Sequence, residues 1–338
     1  MQTDRKENKM TQDVDAYGLL SAHRSAVMGF AILCVVFNHC TVDVFYPPLA
    51  FLKDVYLPAD VFVFLSGIGV WESLSRYSTS AYIQHRLRKI LPAWWIYVFV
   101  YAVLGRLQMG IRYTIPELLG FVTFTGYWMN MPWSGNWYAY AIMLFYFLAP
   151  VVFAMIRDSR KPAGTAVLLI CIALVLSLPF LRREQLEAAS RLPVFLLGMG
   201  FSAFLKGRRL SCRGLAVIGA AYLAGILGMF FAWRMPFQAS RDIGVCWYPC
   251  FLAAPGACLL LAAAFEWLQS RWKGGCRLFH VLGSSAFEIL LASDYIMLWA
   301  YERSDRGALS VLISAAGIFA GLVFHRVVLW IQKGVKPA

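Results

Sequence analysis

A histidine lies deep inside an apolar stretch of the sequence. His39 follows Asn38 near the end of SAVMGFAILCVVFNHCTV, residues 25–42. An imidazole in hydrocarbon must be hydrogen-bonded, ligated or used in chemistry, because an unsatisfied polar group there costs several kcal/mol. The simpler alternative is a hydrogen bond to a neighbouring helix, but ionisable groups inside membranes are usually functional. We therefore predict that His39 is a general base, a role in which imidazole is effective near neutral pH.

Two carboxylates are candidate partners for this histidine. Asp43 lies four residues after His39 and would share its face of a helix. Asp60 lies near the start of the next apolar run, at a similar depth if the two runs are antiparallel. Either carboxylate could fix the imidazole tautomer and stabilise its protonated form. The sequence does not choose between them, so both are predicted members of the catalytic site.

Basic residues gather at the other ends of the first apolar runs. The segment YIQHRLRKILPAWW, residues 82–95, carries Arg86 and Arg88, while Arg76 lies shortly upstream and Arg24 precedes the first run. Ordinary anchoring at the cytoplasmic face explains most such residues. Guanidinium groups gathered in this way would also bind phosphates through paired hydrogen bonds. A cytosolic, phosphate-bearing donor is therefore a second prediction.

Four further residues are candidates for binding a substrate. Trp137 opens one apolar run and Arg191 opens another, where interfacial anchoring is an equally good explanation. Glu288 and Asp294 lie inside a third run, which is a costly position for a carboxylate without partners or water. We predict that these two carboxylates line a polar passage between the two faces of the membrane.

The composition identifies the setting in which these residues must be placed. Of 338 residues, 60% are hydrophobic, 16% aromatic and only 14% charged, and the mean hydropathy is +0.62. Soluble domains are nearer one quarter charged, so this chain lacks the polar residues to cover a water-facing surface. The net charge is +13, but the sequence contains no soluble basic domain, which argues against nucleic-acid binding. The eight cysteines show no metal-ligand spacing, so no metal site is predicted.

The fold class that follows is an all-α polytopic membrane protein, a bundle of about ten transmembrane helices. Ten apolar runs are long enough to span a bilayer: 25–45, 58–75, 90–108, 137–156, 163–180, 190–206, 213–233, 245–268, 283–302 and 308–331. The segment 113–128 is too short and too interrupted by Gly and Pro, and is predicted to be a partly inserted or interfacial helix. Lys and Arg are about twice as frequent on the N-terminal side as on the other, which predicts that both termini are cytoplasmic.

Several segments, taken in order, resemble the acyltransferase-3 family of integral membrane acyltransferases. The similarity covers about residues 20–330. It rests on six motifs: MGFAILCVVFNH, ADVFVFLSGIGV, YIQHRLRKILP, WSGNWYAYAIMLFYFLAP, RLPVFLLGM and GSSAFEIL. Where relatives often have a histidine after the last of these motifs, this chain has Ser293 followed by Asp294. The polar residues 1–23 are expected to be a cytoplasmic N-terminal leader, residues 24–332 an acyltransferase-3-like transmembrane domain, and residues 333–338 a short cytoplasmic tail.

The resemblance also implies an activity and a location. Members of the family take an acyl group, usually acetyl, from cytosolic acetyl-CoA and pass it to a hydroxyl of an extracytoplasmic glycan, peptidoglycan or lipid-linked sugar. This implies an O-acetyltransferase of the cell envelope, acting in polysaccharide modification from the bacterial cytoplasmic membrane. The family's essential histidine corresponds to His39, and its coenzyme motif corresponds to Arg86 and Arg88.

Other interpretations stay open at this level. A transporter or exporter of a polar or anionic substrate could use the same carboxylates and arginines, although no inverted repeat is evident. An inactive relative could serve another membrane enzyme, although the retained His39 argues against this. The sequence also leaves open an acyl-histidine intermediate, the acceptor, the length of the acyl group and a homodimer.

Overall fold

A computed structural model describes residues 13–39, 57–131, 136–301 and 309–334 of the chain. These residues form helices joined by short connections, and the only pairing of extended backbone among them is a bridge between Val14 and Leu210. The α-helices are α1 (Ala16–His39), α2 (Leu57–Arg76), α3 (Thr79–Met109), α4 (Ile115–Val122), α5 (Trp137–Arg157), α6 (Pro162–Ser177), α7 (Leu186–Ala189), α8 (Leu192–Leu205), α9 (Cys212–Arg234), α10 (Phe237–Asp242), α11 (Tyr248–Arg271), α12 (Arg277–Ser284), α13 (Ala286–Tyr301) and α14 (Leu309–Gly334).

Within these ranges, nine segments are long and apolar enough to cross a bilayer. They are Ala16–His39, Leu57–Arg76, Thr79–Leu107, Trp137–Arg157, Pro162–Phe180, Leu186–Leu205, Cys212–Arg234, Tyr248–Arg271 and Leu312–Lys333. The ninth predicted run, 283–302, corresponds to α13, of which the structure describes the 16 residues Ala286–Tyr301, and the turn at Ser285 separates this helix from α12. The all-α polytopic prediction is confirmed.

The segment 113–128 forms a short helix, α4, whose start is fixed by local chemistry. The Thr114 hydroxyl accepts a hydrogen bond from the Glu117 backbone N–H, and the Glu117 carboxylate accepts one from the Thr114 N–H. This capping box satisfies two backbone donors that the first turn leaves unpaired. The Thr114 N–H also holds the pKa of the Glu117 carboxyl below its usual range.

Close contacts between glycines and facing backbone join the helices at the centre of the bundle. A Cβ on Gly67 of α2 would lie 2.1 Å from the Phe195 carbonyl oxygen of α8. A Cβ on Gly283 of α12 would lie 1.8 Å from the Ser25 carbonyl oxygen of α1. Small residues are the usual means of close helix packing in membranes. The second contact brings α12, and α13 after it, against the helix that carries His39.

The helices differ in how much of their surface the bundle covers. The α2 and α8 segments are mostly buried inside the protein, whereas α6 and α9 leave most of their apolar side chains exposed. An apolar exposed face is the expected surface of a helix against lipid. Of the polar side chains that the sequence singles out, Asp60, Arg191 and Glu288 are buried in the interior of the bundle.

Candidate active site

A cavity of about 640 Å³ opens in the centre of the bundle. Its volume lies within the range of about 300–1,000 Å³ that is typical of small-molecule sites. Six residues predicted from the sequence line it together: His39, Arg86, Arg88, Trp137, Glu288 and Asp294. One end of this cavity therefore presents a histidine, and another presents arginines.

His39 is the last residue of α1, and its side chain is exposed in the cavity. Its imidazole and the Asp294 carboxylate of α13 are close enough to interact electrostatically. The Tyr97 hydroxyl of α3 donates a hydrogen bond of 2.7 Å to Asp294 Oδ2. Three helices thus converge on one polar chain, from Tyr97 through Asp294 to His39. A carboxylate beside an imidazole stabilises the imidazolium that forms when the ring accepts a proton.

Of the two carboxylates that the sequence predicts beside His39, the structure describes only Asp60, and it pairs Asp60 with Arg191. Asp60 is 1% exposed, and its Oδ2 lies 3.7 Å from Nε of Arg191, which is wholly buried. Two opposite charges that are both buried stabilise each other, so Asp60 forms an ion pair with Arg191. Asp43 lies outside the described residues. Among the described residues, Asp294, which the sequence assigned to a polar passage, is a carboxylate that interacts with His39.

Arg191 lies behind the wall of the cavity. One of its terminal nitrogens donates to the Glu187 carbonyl oxygen at 2.6 Å. Its guanidinium lies between two indole rings, 4.9 Å from the centroid of Trp137 and 5.2 Å from that of Trp247. Trp137 lines the cavity and Arg191 does not. Arg191 therefore supports Trp137 by cation–π contact, and Trp137 is the side chain that a substrate can reach.

Arg86 and Arg88 line the opposite end of the cavity, and Arg24 lies beside Gly69 without lining the cavity. Arg86 donates a hydrogen bond of 2.9 Å to the Gly69 carbonyl oxygen and lies over the Tyr146 ring, 4.9 Å from its centroid. Arg24 occupies the space beside the same glycine, where an added Cβ would lie 2.5 Å from a terminal nitrogen. Arg88 lines the cavity nearby, and its carbonyl oxygen accepts a hydrogen bond from Gln332.

Arg76 does not join this group. Its side chain is 67% exposed and lies 3.4 Å from the carboxylate of Glu72, one turn earlier on α2. The sequence predicts it together with Arg24, Arg86 and Arg88, but the structure directs it to the surface of the protein, away from the residues that line the cavity. A residue at the end of a helix can face solvent or the bundle, and its position in the sequence does not determine which of these it faces.

Two residues of the site were missed in the sequence. His325 of α14 lies 3.2 Å from the Glu288 carboxylate, and both line the cavity. Its position inside the apolar run 308–331 is the same signal that identified His39. Tyr97, by contrast, carries no signal, because a tyrosine in an apolar helix is ordinary. Within the described ranges, no three His, Cys, Asp or Glu side chains are grouped as metal ligands.

Comparison with known proteins identifies the family. The family model described as an acyltransferase domain, acyltransferase-3, matches residues 27–329, nearly the whole chain. No curated protein and no solved structure matches the chain. The matched region contains His39, Arg86 and Arg88, and every residue that lines the cavity except Ile331 and Gln332. This chain belongs to the acyltransferase-3 family and is a membrane-spanning acyltransferase.

Proposed function

We propose that the protein transfers an acetyl group from acetyl-CoA to a hydroxyl of an extracytoplasmic glycan, peptidoglycan or lipid-linked sugar. The observation that carries this proposal is a single cavity with a carboxylate-paired histidine at one end and arginines at the other. Such a cavity suits a donor whose phosphates and reactive group lie at opposite ends of a long arm. The proposal places the arginine end on the cytoplasmic side, as the distribution of Lys and Arg predicts.

The residues at the basic end fit a phosphate-bearing donor. Nε of Arg24 and Nε of Arg86 are buried and have no hydrogen-bond partner among the described residues. Buried guanidinium donors without partners are costly, and phosphate oxygens would satisfy them. Arg88 and Lys89 add positive charge to the wall of the same cavity. Acetyl-CoA, when bound, supplies the phosphates for this end and an activated thioester for the other.

At the reactive end, His39 takes the proton of the acceptor hydroxyl as that oxygen attacks the acetyl carbonyl. Asp294 stabilises the protonated ring, and Tyr97 holds Asp294 by its hydrogen bond. His39 then gives the proton to the departing sulfur, which restores the starting state. General base catalysis of this kind contributes about 10²- to 10⁴-fold, and the fixed positions of both substrates contribute much of the rest.

The wall beside this end has a surface suited to a sugar. Trp137 lines the cavity, and its indole is held from behind by the guanidinium of Arg191. An aromatic face packs against the apolar C–H face of a sugar ring, while nearby polar groups fix its orientation. Asn136 and Tyr138, on either side of Trp137, line the cavity as well. We assign the acceptor to this side of the cavity.

A direct test uses membrane vesicles that contain the protein and radiolabelled acetyl-CoA. Label should appear in glycan, peptidoglycan or lipid fractions, and mass spectrometry should show an added acetyl group of about 42 Da on the product, as group transfer requires. Vesicles without the protein provide the control. Movement of a polar solute across the vesicle membrane without consumption of acetyl-CoA would contradict transfer and support a transporter.

A further inference from the structure

A second histidine–carboxylate pair lies in the cavity, and the transfer steps do not use it. Oε2 of Glu288 and Nδ1 of His325 lie 3.2 Å apart, and both residues line the cavity. The contact lacks the alignment of a hydrogen bond, and Nδ1 has no other partner among the described residues. Glu288 is only 6% exposed, so its charge is costly unless a ligand or water contacts it.

The pair lies between the two ends of the cavity. Glu288 and Asp294 are six residues apart on α13, about 9 Å along the axis at 1.5 Å per residue. His325 and Gln332 are seven residues apart on α14, two turns along one face, or about 10 Å. Gln332 donates to the Arg88 carbonyl oxygen at 3.0 Å, which fixes that end of α14 beside the arginines. The pair is therefore separated from both the arginines and the carboxylate that accompanies His39.

This separation places the pair away from proton transfer at the thioester. A general acid must lie within hydrogen-bond reach of the atom that it protonates. A group about 9 Å from Asp294 along the helix lies nearer the middle of the cavity than a sulfur beside His39 would. It can contact the arm that joins the sulfur to the phosphates. In coenzyme A this arm is pantetheine, which carries two amide groups, one close to the sulfur and one farther away.

We propose that Glu288 and His325 bind the outer amide of the pantetheine arm, the one farther from the sulfur. A carboxylate accepts from the amide N–H, and an imidazole N–H donates to the amide carbonyl. One pair of side chains thus satisfies both polar atoms of an amide in an otherwise largely apolar passage. This inference rests on the proposed donor, acetyl-CoA. It also explains how the protein would select acetyl-CoA over a shorter thioester that lacks the outer amide.

Competition binding with the purified protein in detergent tests the assignment. Tritiated coenzyme A is displaced by unlabelled coenzyme A, by pantetheine, or by N-acetylcysteamine, which lacks the outer amide and the phosphates. In His325→Leu and Glu288→Leu, coenzyme A and pantetheine should each bind about five- to tenfold more weakly, the range of one lost hydrogen bond. N-acetylcysteamine should bind as it does to the wild type. Thermal unfolding of each variant shows whether it is folded.

Two further variants serve as controls. His23 and Glu266 form another histidine–carboxylate pair, which lies outside the cavity, so Glu266→Gln should leave all three affinities unchanged. Arg88→Gln should weaken coenzyme A and spare pantetheine, because only the former has phosphates. Folded His325 and Glu288 variants that weaken all three ligands equally, or none, overturn the amide assignment alone. A wild-type protein that does not bind coenzyme A overturns the proposed donor, and the amide assignment with it.

Discussion

At the scale of single residues, the central question is which carboxylate serves His39. Asp294 interacts with the imidazole and is held by Tyr97, whereas Asp60 is engaged with Arg191. Asp60 is 1% exposed, whereas Asp294 is half-buried and lines the cavity. Their different partners give them different roles, which substitutions can separate.

Asp294→Asn should lower kcat by roughly 10²- to 10⁴-fold, because the neutral amide no longer stabilises the imidazolium. The KM for acetyl-CoA should change little, since Asp294 is far from the arginines. Tyr97→Phe, which removes only the hydrogen bond to Asp294, should have a smaller effect in the same direction. Steady-state kinetics of acetyl transfer measure both. An Asp294→Asn protein with wild-type kcat would show that His39 works without this carboxylate.

Asp60→Asn should act on stability. It leaves the wholly buried Arg191 guanidinium without its opposite charge, and breaking such a pair costs about 3–5 kcal/mol in the free energy of unfolding. Thermal unfolding in detergent should show a lower melting temperature, while the protein that remains folded keeps its kcat. Loss of kcat at an unchanged melting temperature would instead support the sequence-based assignment of Asp60 to the catalytic site.

His39 could be proposed from the sequence as a catalytic residue because a histidine inside an apolar run is rare and energetically costly. Its partner could not, because several carboxylates satisfied the same criterion of depth. The choice depends on which helices face one another, and hydropathy does not report this. Asp294 is selected by the packing of α12 against α1, through the contact of Gly283 with the Ser25 backbone.

At the scale of helices, the proposed donor site depends on Gly69 of α2, which leaves space beside the helix. Gly69 accepts a hydrogen bond from Arg86 on one side and leaves room for the Arg24 guanidinium on the other. The atoms that a Cβ at this position would meet belong to the flexible end of an arginine. The helix can therefore keep its place while Arg24 is displaced.

Gly69→Ala should raise the KM for acetyl-CoA several-fold with little change in kcat. The added methyl moves the Arg24 guanidinium, and the donor then loses about one hydrogen bond to a charged group. The matched control is Gly219→Ala on α9, where nothing lies within 4 Å of the added Cβ. Both changes favour a helix intrinsically, so a difference between them reports the local contact. An unchanged KM in Gly69→Ala would remove Arg24 from the donor site.

Most helices follow from the length of their apolar runs, and the short α4 follows from its polar cap. The break between α12 and α13 does not. The turn at Ser285 falls in GSS, residues 283–285, at the start of the predicted run 283–302, where α12 packs closely on α1. Sequence periodicity describes a single helix, whereas this break is a property of two helices in contact.

At the scale of the whole molecule, orientation decides which substrate enters from which side. The bridge between Val14 and Leu210 places the residues before α1 and the connection before α9 on the same side of the bundle. The distribution of Lys and Arg predicts that this side is cytoplasmic. The arginine end of the cavity would then face the compartment that contains acetyl-CoA.

Labelling of intact cells with a membrane-impermeant thiol reagent tests this orientation. In a cysteine-free background, Gln238→Cys should react, because the connection between α9 and α11 is expected outside. Lys161→Cys, between α5 and α6, should react only after the cells are permeabilised. Both positions are exposed in the structure, so access to each depends on the membrane. The opposite pattern would reverse the topology and the assignment of donor and acceptor sides.

The most direct measurement is acetyl transfer by His39→Ala in vesicles supplied with radiolabelled acetyl-CoA. His39 ends α1 and its side chain is exposed in the cavity, so the truncated protein should insert and bind coenzyme A. We expect transfer to fall by at least about 10²-fold, the contribution of a general base, with coenzyme A affinity retained. Full transfer by a correctly inserted His39→Ala protein would contradict the central role of this histidine.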